Sequence, residues 1–320
     1  MREFYKKTFQ KQAVMRKVIM SLIPIIVGSI YFFGWRTLVL MATITLFGVA
    51  TEYFFEKRLN KKVTEAVFVT CILFTLTLPV STPLWVGIIG IVFGITFAKE
   101  VFGGFGFNVF NPALAARTFI YVTFPEPLTI SWNVASSGFP GGFGKYITPA
   151  VDAISQGSPL IHFGETNTML PFKQLFLGNA TGSLGETSGL LILIGAFILL
   201  RHKSADWRLM LAPVIGFLTF SSILYLSNVS GAQHPLFSLF SGGFLFLSVF
   251  MTTDPVTAPK TKEGKWIYGV LTGIITTIIR VFGLFVEGAM FAVLIMNIFV
   301  PIIDEAVKYI KTPRKKEVSA

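Results

Sequence analysis

The chain has 320 residues, of which 53% are hydrophobic and 13% charged, with a mean hydropathy of +0.69; one water-soluble core cannot hide that much apolar surface. The composition excludes an ordinary soluble domain and predicts an all-α polytopic membrane protein. The formal net charge of +11 invites comparison with nucleic-acid binders, but the basic residues are placed as membrane insertion requires, so no nucleic-acid partner is expected.

The basic N-terminus, with Arg2, Lys6, Lys7, Lys11, Arg16 and Lys17, runs into a full-length apolar segment without a small-residue cleavage site, which reads as a retained helix rather than a signal peptide. About ten segments approach or reach the roughly 20 apolar residues needed to cross a hydrocarbon core: 17–34, 36–54, 65–80, 84–99, 109–125, 188–202, 206–227, 236–253, 266–283 and 287–304. The third to the sixth are short, as expected of half-helices that line a site. With an even number of spans both termini lie on one side, and every Lys and Arg except Arg36, Arg117, Lys145, Lys173 and Arg280 falls on that side, which the positive-inside rule makes cytoplasmic. The expected division is a first transmembrane repeat over 1–125, an extracytoplasmic loop over 126–187, a second repeat over 188–306 and a basic cytoplasmic tail over 307–320. The single Cys71 lies in an apolar span, so no disulfide framework forms within the chain.

The two halves resemble each other. Thr77-Leu78-Pro79-Val80-Ser81-Thr82-Pro83 closes the third span and Thr253-Asp254-Pro255-Val256-Thr257-Ala258-Pro259 the eighth; each is followed by a Trp (Trp85, Trp266), a Gly-containing span and Val-Phe-Gly (101–103, 281–283). Two five-helix repeats are expected, and an odd number of spans per repeat makes the second inverted relative to the first, with a site between them near mid-membrane.

Residues 101–119 carry a Gly-rich turn, Asn108 and Asn111 three apart, Pro112 at a helix start, and Arg117 with Thr118 in an apolar run. The carboxamides suit the dione and ring nitrogens of a flavin or carbonyl-type coordination of a cation; equally, Asn111 and Pro112 are the N-cap and first residue of a half-helix. Arg117 is expensive inside a span and is by default a site residue, with a phosphate or Glu186 as its expected partner. The loop Asp152-Ala153-Ile154-Ser155-Gln156-Gly157-Ser158-Pro159-Leu160 offers a hydroxyl at Ser158 beside two backbone-shaping residues, with Asp152 upstream, although most Ser-Pro pairs only initiate turns. A second Gly-rich element, with Gly182, Ser183, Gly185 and Glu186, runs into the sixth span and suits either an anion or an ordinary capped loop. Asp254 is the best candidate for a functional carboxylate. Glu287 and Arg280 are expected to pair with each other, and Asp304 to reach water. The three His residues lack ligand spacing, and no haem, zinc or iron–sulfur motif is present, so no metal ligand is assigned.

Taken together, Phe-Gly-Gly…Asn-x-x-Asn-Pro-Ala at 102–113, Asp-Ala-x-Ser…Pro-Leu at 152–160, Gly-Ser-x-Gly-Glu at 182–186, Thr-Asp-Pro-Val at 253–256 and Ile-Arg-Val at 279–281 resemble a known family. It comprises the D subunit of the Rnf ferredoxin:NAD+ oxidoreductase complex and the B subunit of the sodium-pumping NADH:quinone oxidoreductase; the chain's length looks more like the former. The resemblance implies a urea-transporter-like pair of inverted repeats in a prokaryotic cytoplasmic (inner) membrane. It also implies FMN joined by a phosphoester to a hydroxyl residue in an Asp-x-x-Ser/Thr-Gly-Ala-Thr sequence, installed outside the cytoplasm by a flavin transferase. By position the acceptor is Ser158, with Asp152 and Ser155 as recognition residues and Arg117, Thr118, Gly182, Ser183, Gly185 and Glu186 around the flavin. Gln156 and Gly157 stand where Gly-Ala is usual and Ser replaces Thr, so covalent and noncovalent FMN both stay open. A second flavin, riboflavin, or the transported ion maps onto Asn108, Asn111 and Asp254. The expected function is a membrane electron-transfer subunit coupled to Na+ or H+ movement, working with other subunits of a complex, among them a second covalent-flavin subunit, and with membrane lipid. A channel or transporter for a small polar solute is the alternative.

Overall fold

The computed structural model describes residues 8–130, 132–146, 158–166, 168–283, 285 and 287–311. In chain order, α1 (Ala13–Phe33) and α2 (Arg36–Arg58) form a hairpin closed at Gly34. That position has φ +76°, and a Cβ there would lie 2.5 Å from the carbonyl oxygen of Lys145, so only glycine fits. After α3 (Ala66–Leu76) the Pro-rich stretch 77–83 leads into α4 (Leu84–Ala98), which a 3-10 turn extends to Phe102, and then α5 (Pro112–Thr123). Among its described residues the interval expected to be extracytoplasmic has short helices, α6 (Glu126–Thr129), α7 (Pro159–Thr166) and α8 (Phe172–Leu177), and a 3-10 turn at Gly141–Gly144. The second half has α9 (Gly189–Arg201), α10 (Trp207–Leu226), α11 (Pro235–Phe240), α12 (Phe244–Phe250), α13 (Lys262–Phe282) and α14 (Gly288–Lys311).

Among the described residues six helices are long and apolar enough to cross a membrane: α1, α2, α4 with its turn, α10, α13 and α14. The other expected spans are shorter or interrupted. The segment 65–80 is helical only to Leu76, and 236–253 is split at Ser241–Gly243, where Gly242 takes φ +64°. Backbone freed at such breaks needs partners inside a membrane. Arg36 Nε donates to Val80 O (2.7 Å) and its Nη2 to Thr82 O (3.0 Å), while the amides of Gly185 and Leu184 donate to Leu76 O (2.7 Å) and Leu78 O (3.0 Å). Helix α14 also runs to Lys311, past the expected start of the tail at 307.

In the first half α4 packs along α2 and α5; in the second, α13 packs along α10 and α14, and α1 and α9 meet between the halves. The α10–α13 contact is backbone-close, since a Cβ on Gly216 would lie 2.2 Å from Val270 O. Among the described residues the all-helical expectation has one small exception, a parallel pair β1 (Phe9–Gln10) and β2 (Val63–Thr64). Gln12 and Glu65 fasten it: Gln12 N donates to Glu65 Oε2 (2.7 Å), and Ala66 N to Gln12 Oε1 (3.0 Å). Residues assigned to the same side of the membrane lie together: Lys17 reaches His202 O (3.3 Å), Lys311 pairs with Glu263 (2.6 Å), and on the opposite side Trp35 Nε1 donates to Phe143 O (2.6 Å).

Candidate functional site

Helix α5 begins where the sequence signals it. Pro112 opens the first turn, and Asn111 Oδ1 accepts from Ala113 N (3.0 Å) and Leu114 N (3.2 Å). The capping role and a place in the cavity coexist: Asn108, Asn111 and Asp254, from opposite halves of the chain, line one cleft of about 60 Å³ together with Thr70, Lys99 and Thr253. Leu73, Phe105 and Phe250 provide apolar wall. Asp254 holds its own loop, accepting from Val256 N (3.0 Å) and Thr257 Oγ1 (3.1 Å), and forms no ion pair among the described residues. Two carboxamides and an uncompensated carboxylate beside an apolar wall can hold the polar edge of a planar ring system or a partly dehydrated cation.

One residue passed over in the sequence joins the two sides of this cleft. Asn297, buried in α14, accepts from Asn111 N (3.3 Å) and donates to Thr257 O (3.3 Å) and Tyr268 Oη (3.2 Å). Its signal was an amide in an otherwise apolar span, the same one that drew attention to Arg117.

Ser158, at the start of α7, is buried and lines a second, smaller cavity of about 10 Å³ with Thr181, Gly182, Glu186, Thr187 and Glu287. Among the described residues a Cβ on Gly182 would meet only the Thr187 methyl, at an ordinary contact distance of 3.7 Å, so this glycine has room for a methyl group. Gly185 does not: its Cβ would fall 2.8 Å from that of Leu76, and it serves the packing of α3. Ser183, Gly185 and Thr118 do not line this cavity, although Thr118 Oγ1 is buried without a hydrogen-bond partner. Asp152 and Ser155, with Gln156 and Gly157, lie outside the described residues.

Behind that cavity four charges converge, Arg117 and Glu186 buried and Arg280 and Glu287 half-buried. Arg117, Glu186, Arg280 and Glu287 line a further space of about 10 Å³ between the halves. The direct partner of Arg117 is Glu287, not Glu186: Nη2 to Oε2 is 2.5 Å, with Nη1 buried and unpartnered. The expected Arg280–Glu287 pair is also corrected. Arg280 Nη1 donates to Ser238 O (2.7 Å) and Nη2 to Ser241 O (3.1 Å), terminating the break between α11 and α12. Asp304 is half-buried, so it keeps access to water while its carboxylate accepts from Lys260 N (2.8 Å), Thr261 N (3.0 Å) and Thr261 Oγ1 (2.5 Å) and fixes the start of α13.

A third polar group went unnoticed in the sequence. Glu52, Glu56 and Glu100, all buried, offer carboxylate oxygens within 4.8 Å of one another. Lys99 neutralises Glu52 at 2.5 Å, and Thr64 donates to it from N (2.8 Å) and Oγ1 (2.6 Å). Glu56 Oε2 and both oxygens of Glu100 accept no hydrogen bond. Such a trio can take up a cation or protons. Glu52 and Glu56, four apart, share a face of α2, but Glu100 joins them only through the packing of α4 on α2, so sequence spacing announced the pair and not the trio.

Comparison with known proteins covers nearly the whole chain. The sequence profile of the NQR2, RnfD, RnfE family matches residues 2–312. The chain is 38% identical over 299 residues to the B subunit of the Na(+)-translocating NADH-quinone reductase of Klebsiella pneumoniae (strain 342), covering 90% of this chain and 69% of that protein. It is 35% identical over 318 residues to the D subunit of the Na(+)-translocating ferredoxin:NAD(+) oxidoreductase complex of Acetobacterium woodii, covering 96% of this chain and 93% of that protein. With the B subunit of the Na(+)-translocating NADH-quinone reductase of Pseudomonas aeruginosa (strain LESB58) it shares 39% over 292 residues, 88% of this chain and 68% of that protein.

Proposed function

Because the chain belongs to the NQR2, RnfD, RnfE family, we propose that it is a membrane subunit of an ion-translocating electron-transport complex of the ferredoxin:NAD+ (Rnf) type. In this reading it carries FMN on Ser158 and passes electrons across the inner membrane, coupled to Na+ or H+ movement, with both termini cytoplasmic. The ferredoxin type rests on the Acetobacterium woodii relative, which is matched over 93% of its length. Other subunits of the complex and a flavin transferase are its partners.

The observation that carries the reading is the pairing of a hydroxyl acceptor with a chargeable core. Ser158 lines a cavity whose far wall, Glu186 and Glu287, backs onto Arg117 and Arg280. These residues fit a phosphate-linked flavin. Ser158 supplies the ester oxygen, Gly182 leaves room beside it, and the two arginines offset the negative charge that a phosphodiester adds next to two glutamates. When bound, FMN supplies a ring that takes one or two electrons. Asn108, Asn111 and Asp254 are proposed to hold riboflavin or the coupling ion at the cleft between the halves. Two inverted five-helix repeats, about ten segments with the short ones included, are supported by the like packing of α2, α4 and α5 and of α10, α13 and α14.

The test is the intact mass of the chain produced with and without a co-expressed flavin transferase. One FMN less one water is expected to appear only with the transferase and to vanish in Ser158→Ala. Flavin that stays bound through denaturation in Ser158→Ala would refute the assignment.

A further inference from the structure

At the starts of α10 and α13, on the side opposite Ser158, lies an open pocket of about 520 Å³ lined by Lys203, Asp206, Trp207, Arg208, Lys260 and Lys265. Its single carboxylate is already engaged. Asp206 Oδ1 accepts from Arg208 N (3.0 Å) and Nη1 (3.4 Å), and Oδ2 from Lys265 Nζ (2.8 Å). Lys203 and Lys260 are exposed and form no ion pair among the described residues, so four cations face one carboxylate across a concave surface. A positive-inside bias would scatter these charges over the loops; it does not by itself gather them around a hollow.

The surroundings fix the kind of anion. Trp207 and Trp266 stand edge to face, with centroids 5.8 Å apart, at the ends of two membrane-spanning helices, the level at which tryptophans meet lipid headgroups. Trp207, Leu211 and Ile215 follow one another at four-residue spacing along α10, each more than 40% exposed, and form an apolar stripe leading from the pocket toward the membrane interior. We propose that this pocket binds the phosphodiester headgroup of an anionic phospholipid, with an acyl chain lying along the Trp207–Leu211–Ile215 face. The site is distinct from the flavin assignments, but Ser204, Ala205, Thr253 and Pro255 line both this pocket and the Asp254 cleft, so a bound headgroup would screen that end of the cleft.

Titrating the delipidated full-length protein in neutral detergent with phosphatidylglycerol, phosphatidylcholine or inorganic phosphate, and counting retained lipid by native mass spectrometry, tests the proposal. One phosphatidylglycerol is expected to be retained at least tenfold more tightly than phosphatidylcholine. Lys203→Gln/Lys260→Gln should remove that preference without changing the melting temperature of the lipid-free protein, while Lys57→Gln/Arg58→Gln, the same charge loss elsewhere on that side, should leave it intact. Equal retention of the two lipids, displacement of phosphatidylglycerol by millimolar phosphate, or equal loss in both double variants would overturn it, the last by reducing the effect to general charge attraction.

Discussion

The Arg117–Glu287 pair is the point at which the buried electrostatics can be read by sign as well as size. Both side chains are largely withdrawn from solvent, 2% and 15% exposed, and a second carboxylate, Glu186, lines the same space. Removing one member of a buried pair costs about 3–5 kcal/mol, because the remaining charge is left desolvated and unpaired. Arg117→Leu should fall at the upper end, since it leaves Glu186 and Glu287 facing only Arg280, whose Nη groups are held by the carbonyls of Ser238 and Ser241. Glu287→Leu should fall near the lower end, because the guanidinium can turn to Glu186. The double variant Arg117→Leu/Glu287→Leu leaves one acid and one base and should be more stable than Arg117→Leu alone, which means a coupling larger than the roughly 3 kcal/mol cost of Glu287→Leu by itself. At roughly 2 °C or more per kcal/mol for a chain of this size, Arg117→Leu should lower the apparent melting temperature by about 10 °C and the second substitution should recover part of it. Intrinsic tryptophan fluorescence of the detergent-solubilised protein reports both. Additive losses in the double variant would show that the two residues do not form the pair described.

Two further substitutions separate packing from open space and charge from shape. Gly216→Ala places a Cβ 2.2 Å from Val270 O, against backbone that cannot rotate away, so α10 and α13 must part at a cost of about 3 kcal/mol, whereas Gly182→Ala should change stability by less than about 0.5 kcal/mol; thermal unfolding compares them. At Asp206, burial alone would raise the carboxyl, but the Lys265 and Arg208 hydrogen bonds hold it below the usual carboxylate range. A lowered folded-state pKa contributes stability above the unfolded value of about 3.9 that is lost as pH falls through the folded value, so the melting-temperature gap between the wild type and Asp206→Asn should hold at neutral pH and close below about pH 4. A gap that does not narrow at all between about pH 5 and pH 3 would mean that Asp206 acts through shape and capping alone.

How much of this was legible in the sequence depends on how local each signal is. Asn111-Pro112 and Thr253-Asp254-Pro255 announce helix interruptions through their own backbone chemistry, and both lie where that chemistry puts them, at the cleft. The lengths of the broken spans were less legible, because apolar composition continues past the point where the helix stops: Leu78 and Val80 are as hydrophobic as the residues of α3 but belong to the Pro-rich connection. Long-range partners were not legible at all. Nothing near Arg117 in the chain indicates Glu287, 170 positions away, and the Glu52–Glu56–Glu100 trio exists only because α4 lies against α2. Asn297 is a different kind of miss, since its signal was local and the rule applied to Arg117 covers it equally.

The arginines inside the bundle show why an intramembrane charge marks a site only after its hydrogen bonds have been traced. Arg36 and Arg280 are deeply placed, yet each donates to two carbonyls left open by a helix break, Val80 and Thr82 in one half and Ser238 and Ser241 in the other. Short, interrupted helices need such donors wherever water is absent, so these two positions follow from the architecture. Arg117 differs. It sits within α5, where the helix satisfies its own backbone, and it binds a carboxylate rather than a carbonyl. Backbone repair therefore accounts for two of the three arginines and leaves Arg117, between the Ser158 cavity and the core of the bundle, as the one whose charge the fold does not itself require.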